Sequence, residues 1–307
     1  MKRIFVNLKR FEVAKSLGGI CPDDNPTAWM KSVVKSSMEW ELGRIPGVKV
    51  AYLLPEALIA PALEALAACP PDARIGVGCQ GVYREDVVAG GNFGAFSSNR
   101  PAAAAAGLGC GWTMNGHSEE RRDKLGVIAC YDPGAARDGK LGERAAAAVE
   151  GMLNAENKCA LSRGLNLLFC VGETAEQKGL GGPSEYEPRV KAVVRSQLKI
   201  GLDGAAPFKD KLDIVVGYEP IWAIGPGKTP PGPDYIAFIS AFIKETCEEL
   251  HGFRPDVVYG GGLKEENAGD IASVKTVDGG LVALTKFTQP IGFDVQSLRR
   301  IIDAYVK

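Results

Sequence analysis

Gly217-Tyr-Glu-Pro-Ile-Trp-Ala-Ile-Gly-Pro-Gly-Lys-Thr-Pro230 is the stretch whose reading decides the fold. A β-rich apolar run, Leu212 to Val216, leads into it, and a helix-like run starting near Asp234 leads out, so the stretch connects a strand to a helix. Glu219 stands where the strand should end. A stiff Pro-Ile-Trp segment follows, then a glycine-rich turn punctuated by prolines. Rigid hinges around a mobile tip suit a loop that closes over a substrate. The plain alternative is an ordinary connection that happens to carry an acid.

The same unit recurs on both sides of this loop. Strands are predicted at Arg3–Leu8, Val48–Leu53, Arg74–Cys79, Gly111–Asn115, Leu165–Val171, Leu212–Val216, Asp256–Tyr259 and Gly280–Leu284. Most are β-rich and apolar on both faces, as buried parallel strands are. Helices are predicted over Thr27–Leu42, Pro55–Ala68, Pro101–Leu108, Gly142–Ser162, Tyr186–Ile200, Asp234–Leu250, Glu265–Ala272 and Asp294–Tyr305. The first has Asn25 or Thr27 as cap and Pro26 early, where proline costs no hydrogen bond. Eight strands alternating with helices predict an α/β protein, a closed (β/α)8 barrel, with an open doubly wound sheet as the runner-up on pattern alone. No composition break divides the chain, so residues 1–307 are expected to form a single domain. Two turn-rich inserts, near 15–25 and 179–188, are expected to be surface excursions.

Composition narrows the function. A net charge of −1 argues against nucleic acid as the main partner. No apolar run reaches the roughly 18 residues of a membrane span. The first residues lead straight into a strand, which predicts no targeting segment and a cytoplasmic protein. The eight cysteines are irregularly spaced and contain no C-x-x-C pair, so buried free thiols are expected rather than disulfides or a zinc site. With two histidines, His117 and His251, a histidine-based metal centre is not expected either.

In such a barrel the site collects at the C-terminal ends of the strands. Asn7 and Lys9 follow the first strand, His117 the fourth, and Glu219 the sixth. A carboxylate can remove a proton from the carbon next to a carbonyl. An imidazole can donate to the carbonyl oxygen, and an ammonium can stabilise the developing enediolate. Taken singly, Lys9 is more often a solvated lysine and His117 is about as often structural; convergence at one mouth carries the functional reading.

Several stretches resemble one family. The segment Gly217 to Thr229 is similar to the catalytic-glutamate and lid segment of triosephosphate isomerases, as is Gly116-His117-Ser118-Glu119 with Arg121-Arg122 close behind. Val6-Asn7-Leu8-Lys9 resembles the family's first-strand motif, with Leu8 where a tryptophan is usual. Phe169-Cys170-Val171-Gly172-Glu173-Thr174 resembles its fifth-strand signature, Tyr259 to Asn267 its seventh loop, and Gly94-Ala95-Phe96-Ser97 its dimer-forming third loop. The resemblance implies a barrel isomerase that interconverts an aldose and a ketose phosphate without cofactor or metal. It implies Glu219 as base, His117 as neutral electrophile, Lys9 as charge partner and Asn7 as the group that orients the oxyanion. It also implies Glu119 and Glu173 as supporting partners, and Gly225 to Lys228 as the lid tip, with Gly225 offering a backbone N–H to phosphate. Triosephosphate isomerase is itself the familiar example of a glutamate base, a neutral histidine and a closing loop. That mechanism therefore comes with the resemblance.

The chain departs from the family's pattern in two places. The phosphate cradle has Gly262 in place of a hydroxyl residue, and Ala283-Leu284 in place of a Gly-Gly pair, with Lys286 as either a compensating charge or, at least as often, an ordinary solvated lysine. Backbone N–H groups approach phosphate best where no Cβ intervenes. Around the dimer loop, Ser97 replaces a threonine and Ser98-Asn99 a Gly-Glu pair, and Ser118-Glu119-Glu120-Arg121-Arg122 is one residue longer than usual. A homodimer is thus expected with an altered dimer loop. The leading expectation is a triosephosphate isomerase activity. The alternatives are isomerisation of a four-carbon ketose phosphate, of the erythrulose phosphate type, and a catalytically silent relative that binds a metabolite.

Overall fold

Each apolar run becomes a parallel strand whose C-terminal half is buried. The computed structural model describes residues 1–307 except 23, 138, 226, 288 and 289. The strands are β1 (Lys2–Asn7), β2 (Val48–Leu54), β3 (Ile75–Cys79), β4 (Trp112–Asn115), β5 (Asn166–Val171), β6 (Ile214–Tyr218), β7 (Asp256–Tyr259) and β8 (Gly279–Val282). Every strand pairs with its neighbour in sequence, and β8 pairs with β1, so the sheet closes into a barrel. Of the two expectations the closed barrel is the one that forms, because all eight strands find a partner on both edges. β6 ends two residues later than expected, which puts Glu219 immediately beyond it. β8 ends earlier, which leaves Ala283 and Leu284 in the following loop.

The helices are α1 (Pro26–Glu39), α2 (Glu56–Ala67), α3 (Ala102–Leu108), α4 (Ser118–Tyr131), α5 (Lys140–Ser162), α6 (Ala175–Lys178), α7 (Pro183–Gly201), α8 (Pro233–His251), α9 (Glu265–Ser273) and α10 (Val295–Val306). Asn25, not Thr27, caps α1, its side chain accepting from the Ala28 N–H. Among the described residues, no helix is long and apolar enough to cross a membrane. A large core lies between strands and helices, and a smaller one fills the barrel with Phe5, Leu53, Trp112, Met114, Leu168 and Leu281 among its members. Phe5 meets Trp112 edge-on at 4.8 Å. Gly78 on β3 makes room for that indole, since a Cβ there would lie 2.6 Å from the Trp112 Cβ. At the opposite end, Arg3 donates to Asp213 and Asp256 and ties β1 to the starts of β6 and β7.

Two expectations change. The insert expected as loop over 179–188 is helical from Pro183 onward. Pro183 takes the first helical position, where its missing N–H is harmless, and Glu185 accepts from the Gly182 N–H at 2.8 Å. The other insert folds back on itself through a bridge between Ala14 and Cys21, and Cys21 is buried; Asp23 lies outside the described residues. None of the eight cysteines is in a disulfide; five are buried, and Cys130 is exposed.

α4 is the larger surprise, since no helix was expected between Asn115 and Gly142. It has no fully buried residue, and its first turns read Glu119-Glu120-Arg121-Arg122-Asp123-Lys124. Arg121 and Lys124 among them face α5 rather than water alone. Arg121 pairs with Glu150, and Lys124 donates to both Glu120 and Glu156 at 2.9 Å. Burial, with the charge of Glu120, pushes the Glu156 carboxyl up to about 8. The folded protein therefore holds this proton between the ordinary carboxylate range and about pH 8, where the unfolded chain does not. Stability linked to Glu156 is present at acid pH and is lost as pH rises through that window. Glu156→Gln should thus unfold several degrees above the parent at pH 9 and close to it at pH 5, as thermal denaturation followed by circular dichroism would show.

Candidate active site

The strand ends bring the expected residues together. Asn7 ends β1 and is buried. Its Oδ1 accepts from the Lys9 N–H at 2.9 Å and from Gln80 Nε2 at 3.0 Å. With Oδ1 occupied twice, the amide NH2 is its remaining donor, on a side chain that lines the mouth cavity. Lys9 has φ +43°, a left-handed conformation that costs a non-glycine residue roughly 1–3 kcal/mol. Gln80 supports it by donating to the Lys9 carbonyl at 3.0 Å and the Leu53 carbonyl at 3.1 Å. Sequence reasoning missed Gln80. The signal was its place directly after β3, where the strand-end rule applies as it does after β1, β4 and β6.

His117 is the N-cap of α4, and its Nδ1 accepts from the Glu119 N–H at 3.3 Å. A ring nitrogen that accepts from a helix N-terminus leaves Nε2 as the ring's donor. Nε2 lies 3.2 Å from Glu219 Oε1. The other oxygen of Glu219 accepts from the Ser118 N–H at 3.1 Å, and the residue is 4 % exposed. Asn7, Lys9, Gln80 and His117 line one cavity of about 710 Å³, which runs on along α4 past Glu119 and Arg122 to Cys130.

Glu173 lies beyond β5 and is fully buried. It accepts from the Tyr218 hydroxyl at 2.9 Å, Trp222 Nε1 at 2.6 Å and the Tyr235 hydroxyl at 2.8 Å. Burial raises its pKa, and these three donors oppose the rise. Through Trp222 it anchors the 3-10 turn Ile221–Ala223 that begins the expected lid. Gly225 in the tip has φ +117°; Pro226 lies outside the described residues.

Other expected residues fall differently. Glu119 is exposed on the cavity, and it is Glu120 that binds backbone, accepting from the Gly116 N–H at 2.6 Å. The extra residue in the run turns the second glutamate, not the first, toward the loop. Lys286, expected to compensate the phosphate cradle, is paired with Asp294 at 3.0 Å, so its charge is already neutralised. Its backbone pairs with Gly292 as well. Ala283 and Leu284 are half-buried at the start of this loop, and among the described residues no helix lies between β8 and α10. Gly262 follows β7 with φ +97°, its carbonyl accepting from Asn267 Nδ2 at 3.0 Å.

A buried carboxylate touching an imidazole, beside an ammonium and a carboxamide, suits proton transfer next to a carbonyl. The family model described as triosephosphate isomerase matches residues 32–290. The chain belongs to the triosephosphate isomerase family. The triosephosphate isomerase of Chloroflexus aurantiacus is 32% identical over 234 residues, covering 74% of this chain and 79% of that protein. That of Carboxydothermus hydrogenoformans is 31% identical over 242 residues, covering 78% and 80%. The crystal structure of triosephosphate isomerase from Bartonella henselae superposes with a TM-score of 0.67 at 20% identity, covering 100% of this chain and 99% of that one. At that identity the superposition speaks for the barrel alone. The protein is thus an isomerase of the triosephosphate isomerase type. The family match begins after β1, so Asn7 and Lys9 enter the site through geometry and through the first-strand resemblance.

Proposed function

We propose that the enzyme interconverts dihydroxyacetone phosphate and glyceraldehyde 3-phosphate. Glu219 takes a proton from the carbon beside the carbonyl while His117 Nε2–H donates to the carbonyl oxygen. The resulting enediolate lies against the Lys9 ammonium and the Asn7 amide, and His117 gives its Nε2 proton to the former carbonyl oxygen and takes one back from the neighbouring hydroxyl oxygen, which becomes the new carbonyl. Glu219 then returns the proton to the neighbouring carbon. The observation that carries this reading is the contact between the Glu219 carboxylate and His117 Nε2 at 3.2 Å, with the tautomer set by the start of α4.

One observation favours a second substrate. The loop after β8 has side chains where the family has glycines, and its lysine is held by Asp294. Remote binding energy drives such enzymes, so a reshaped grip on the far end of the substrate changes which substrate reaches the transition state. A four-carbon ketose phosphate is the reading that follows. The test is kcat/KM for dihydroxyacetone phosphate beside erythrulose phosphates of both hands, with Glu219→Gln as control. A dominant triose rate confirms the first reading, a dominant tetrulose rate the second, and silence on all of them points to a metabolite-binding relative.

The proposal includes a homodimer. The cavity beside the catalytic groups opens along α4, where Val127 and Tyr131 are exposed, and Val88 and Phe93 are exposed on the loop after β3. Covering these side chains is what a second copy would do. A reducing, cytosolic setting suits eight cysteines outside any disulfide.

A further inference from the structure

We infer that Glu120 is a positioning residue for the reaction: its carboxylate holds the Gly116 peptide, and through it the backbone from which His117 projects. The inference rests on His117 being the group that polarises the substrate carbonyl. It begins with the sequence, because Glu120 belongs to the run that is one residue longer than the family's.

Glu120 is the third residue of α4, and a glutamate there ordinarily reaches back to the N–H of the capping residue. Here it reaches one residue further. Oε2 accepts from the N–H of Gly116, the residue before the cap, at 2.6 Å. Gly116 is buried and has φ +78°. Its carbonyl accepts from Arg121 Nε at 2.8 Å, and Arg121 Nη2 donates onward to the Cys170 carbonyl at 2.7 Å on β5. Both peptides flanking Gly116 are therefore gripped by charged side chains from the first turn of α4, one from each side. A Cβ on Gly116 would sit 2.8 Å from the Cys170 carbonyl oxygen and 2.9 Å from Arg121 Nη2, so the turn has little space in which to drift.

The second oxygen of Glu120 is occupied as well. Oε1 accepts from Lys124 Nζ at 2.9 Å, one turn along the helix. Lys124 also reaches Glu156, whose carboxyl burial keeps protonated at neutral pH. The carboxylate is thus oriented from behind by an ammonium and aimed forward at one backbone N–H. Without it, that buried N–H would lack an acceptor, and the Asn115–Gly116 peptide would lose its grip, leaving the turn that presents His117 held from the Arg121 side alone. The distance at stake is the 3.2 Å between His117 Nε2 and Glu219 Oε1.

Two conservative variants separate the hydrogen bond from the charge. Glu120→Asp keeps the charge beside Lys124 but is one methylene too short to reach Gly116. Glu120→Gln loses the charge but keeps an acceptor at full length. With dihydroxyacetone phosphate, Glu120→Asp is expected to lower kcat about 10- to 100-fold with KM within about threefold, while Glu120→Gln stays within about threefold of the parent in both. The second readout is 15N NMR of the histidine rings. The chain has two histidines, so His251→Gln assigns the pair. The parent and Glu120→Gln should show His117 as a fixed Nε2–H tautomer, and Glu120→Asp should show it averaging. Parent-like kcat and ring signals in Glu120→Asp overturn the inference, as does a Gln variant damaged as badly as the Asp variant. His117→Gln distinguishes the underlying reading. If it keeps full activity, the role of His117 fails; if it is crippled while Glu120→Asp is not, the positioning role alone fails.

Discussion

Glu219→Gln is expected to lower kcat by roughly three to four orders of magnitude, at the upper end of what a positioned general base contributes. The structure explains why the loss should be chemical. Both carboxylate oxygens are occupied, one by His117 Nε2 and one by the Ser118 N–H, and the residue is nearly buried. A carboxamide fits the same space and keeps one acceptor, so the barrel should fold and substrate should still bind. What disappears is the carboxylate proposed to take up the proton from carbon. KM should move little, and exchange of solvent deuterium into the substrate should vanish along with turnover. Glu219→Asp tests geometry instead of basicity. It withdraws the carboxylate by about one C–C bond, for which a loss of about 100-fold is expected. Turnover by Glu219→Gln within about tenfold of the parent would remove Glu219 from the role of base.

Lys9→Met is expected to lower kcat/KM by about 10²- to 10³-fold, the range for removing one group that stabilises developing negative charge. Methionine preserves the length and most of the packing of the stem. It also leaves in place the backbone grip of Asn7 and Gln80, which holds residue 9 at φ +43°. Stability should therefore change little. Unlike Glu219→Gln, this substitution should raise KM as well as lower kcat, because the ammonium attracts an anionic substrate before it stabilises the enediolate. Steady-state kinetics at two ionic strengths would check this. The salt dependence of kcat/KM should weaken in the variant, since exposed charge pairs are screened. A variant with unchanged KM and unchanged salt dependence would place Lys9 outside the binding step.

The locations of the four central groups were legible because each follows an apolar run, and a run of β-rich residues marks a strand end whatever surrounds it. Asn7, His117 and Glu219 could be assigned to one mouth once eight strands were counted. Gln80 was equally placed but gives no local sign of its task, which is to hold the Asn7 side chain and the Lys9 carbonyl, 73 and 71 residues away. α4 escaped because a helix is recognised by a stripe of apolar residues, and α4 turns charges toward its neighbour. Arg121 with Glu150 and Lys124 with Glu156 are surface-like when read in order, and they become interior only when α5 lies across them.

By itself, then, the sequence determined the alternation of eight strands with helices and the identity of the groups at the strand ends, with the closed barrel as the leading of two arrangements. These follow from hydrophobic periodicity and from turn residues, which act over a few positions along the chain. The tertiary structure decided which glutamate binds the backbone before His117, which lysine is paired, and what Glu219 touches. Lys286 looks available in sequence and is matched with Asp294 in space; Glu119 looks like the helper, and Glu120 is turned to the backbone. Such choices depend on distance and desolvation between residues as far apart as Ser118 and Glu219, 101 positions along the chain. Only closure of the barrel brings those positions within reach of a hydrogen bond.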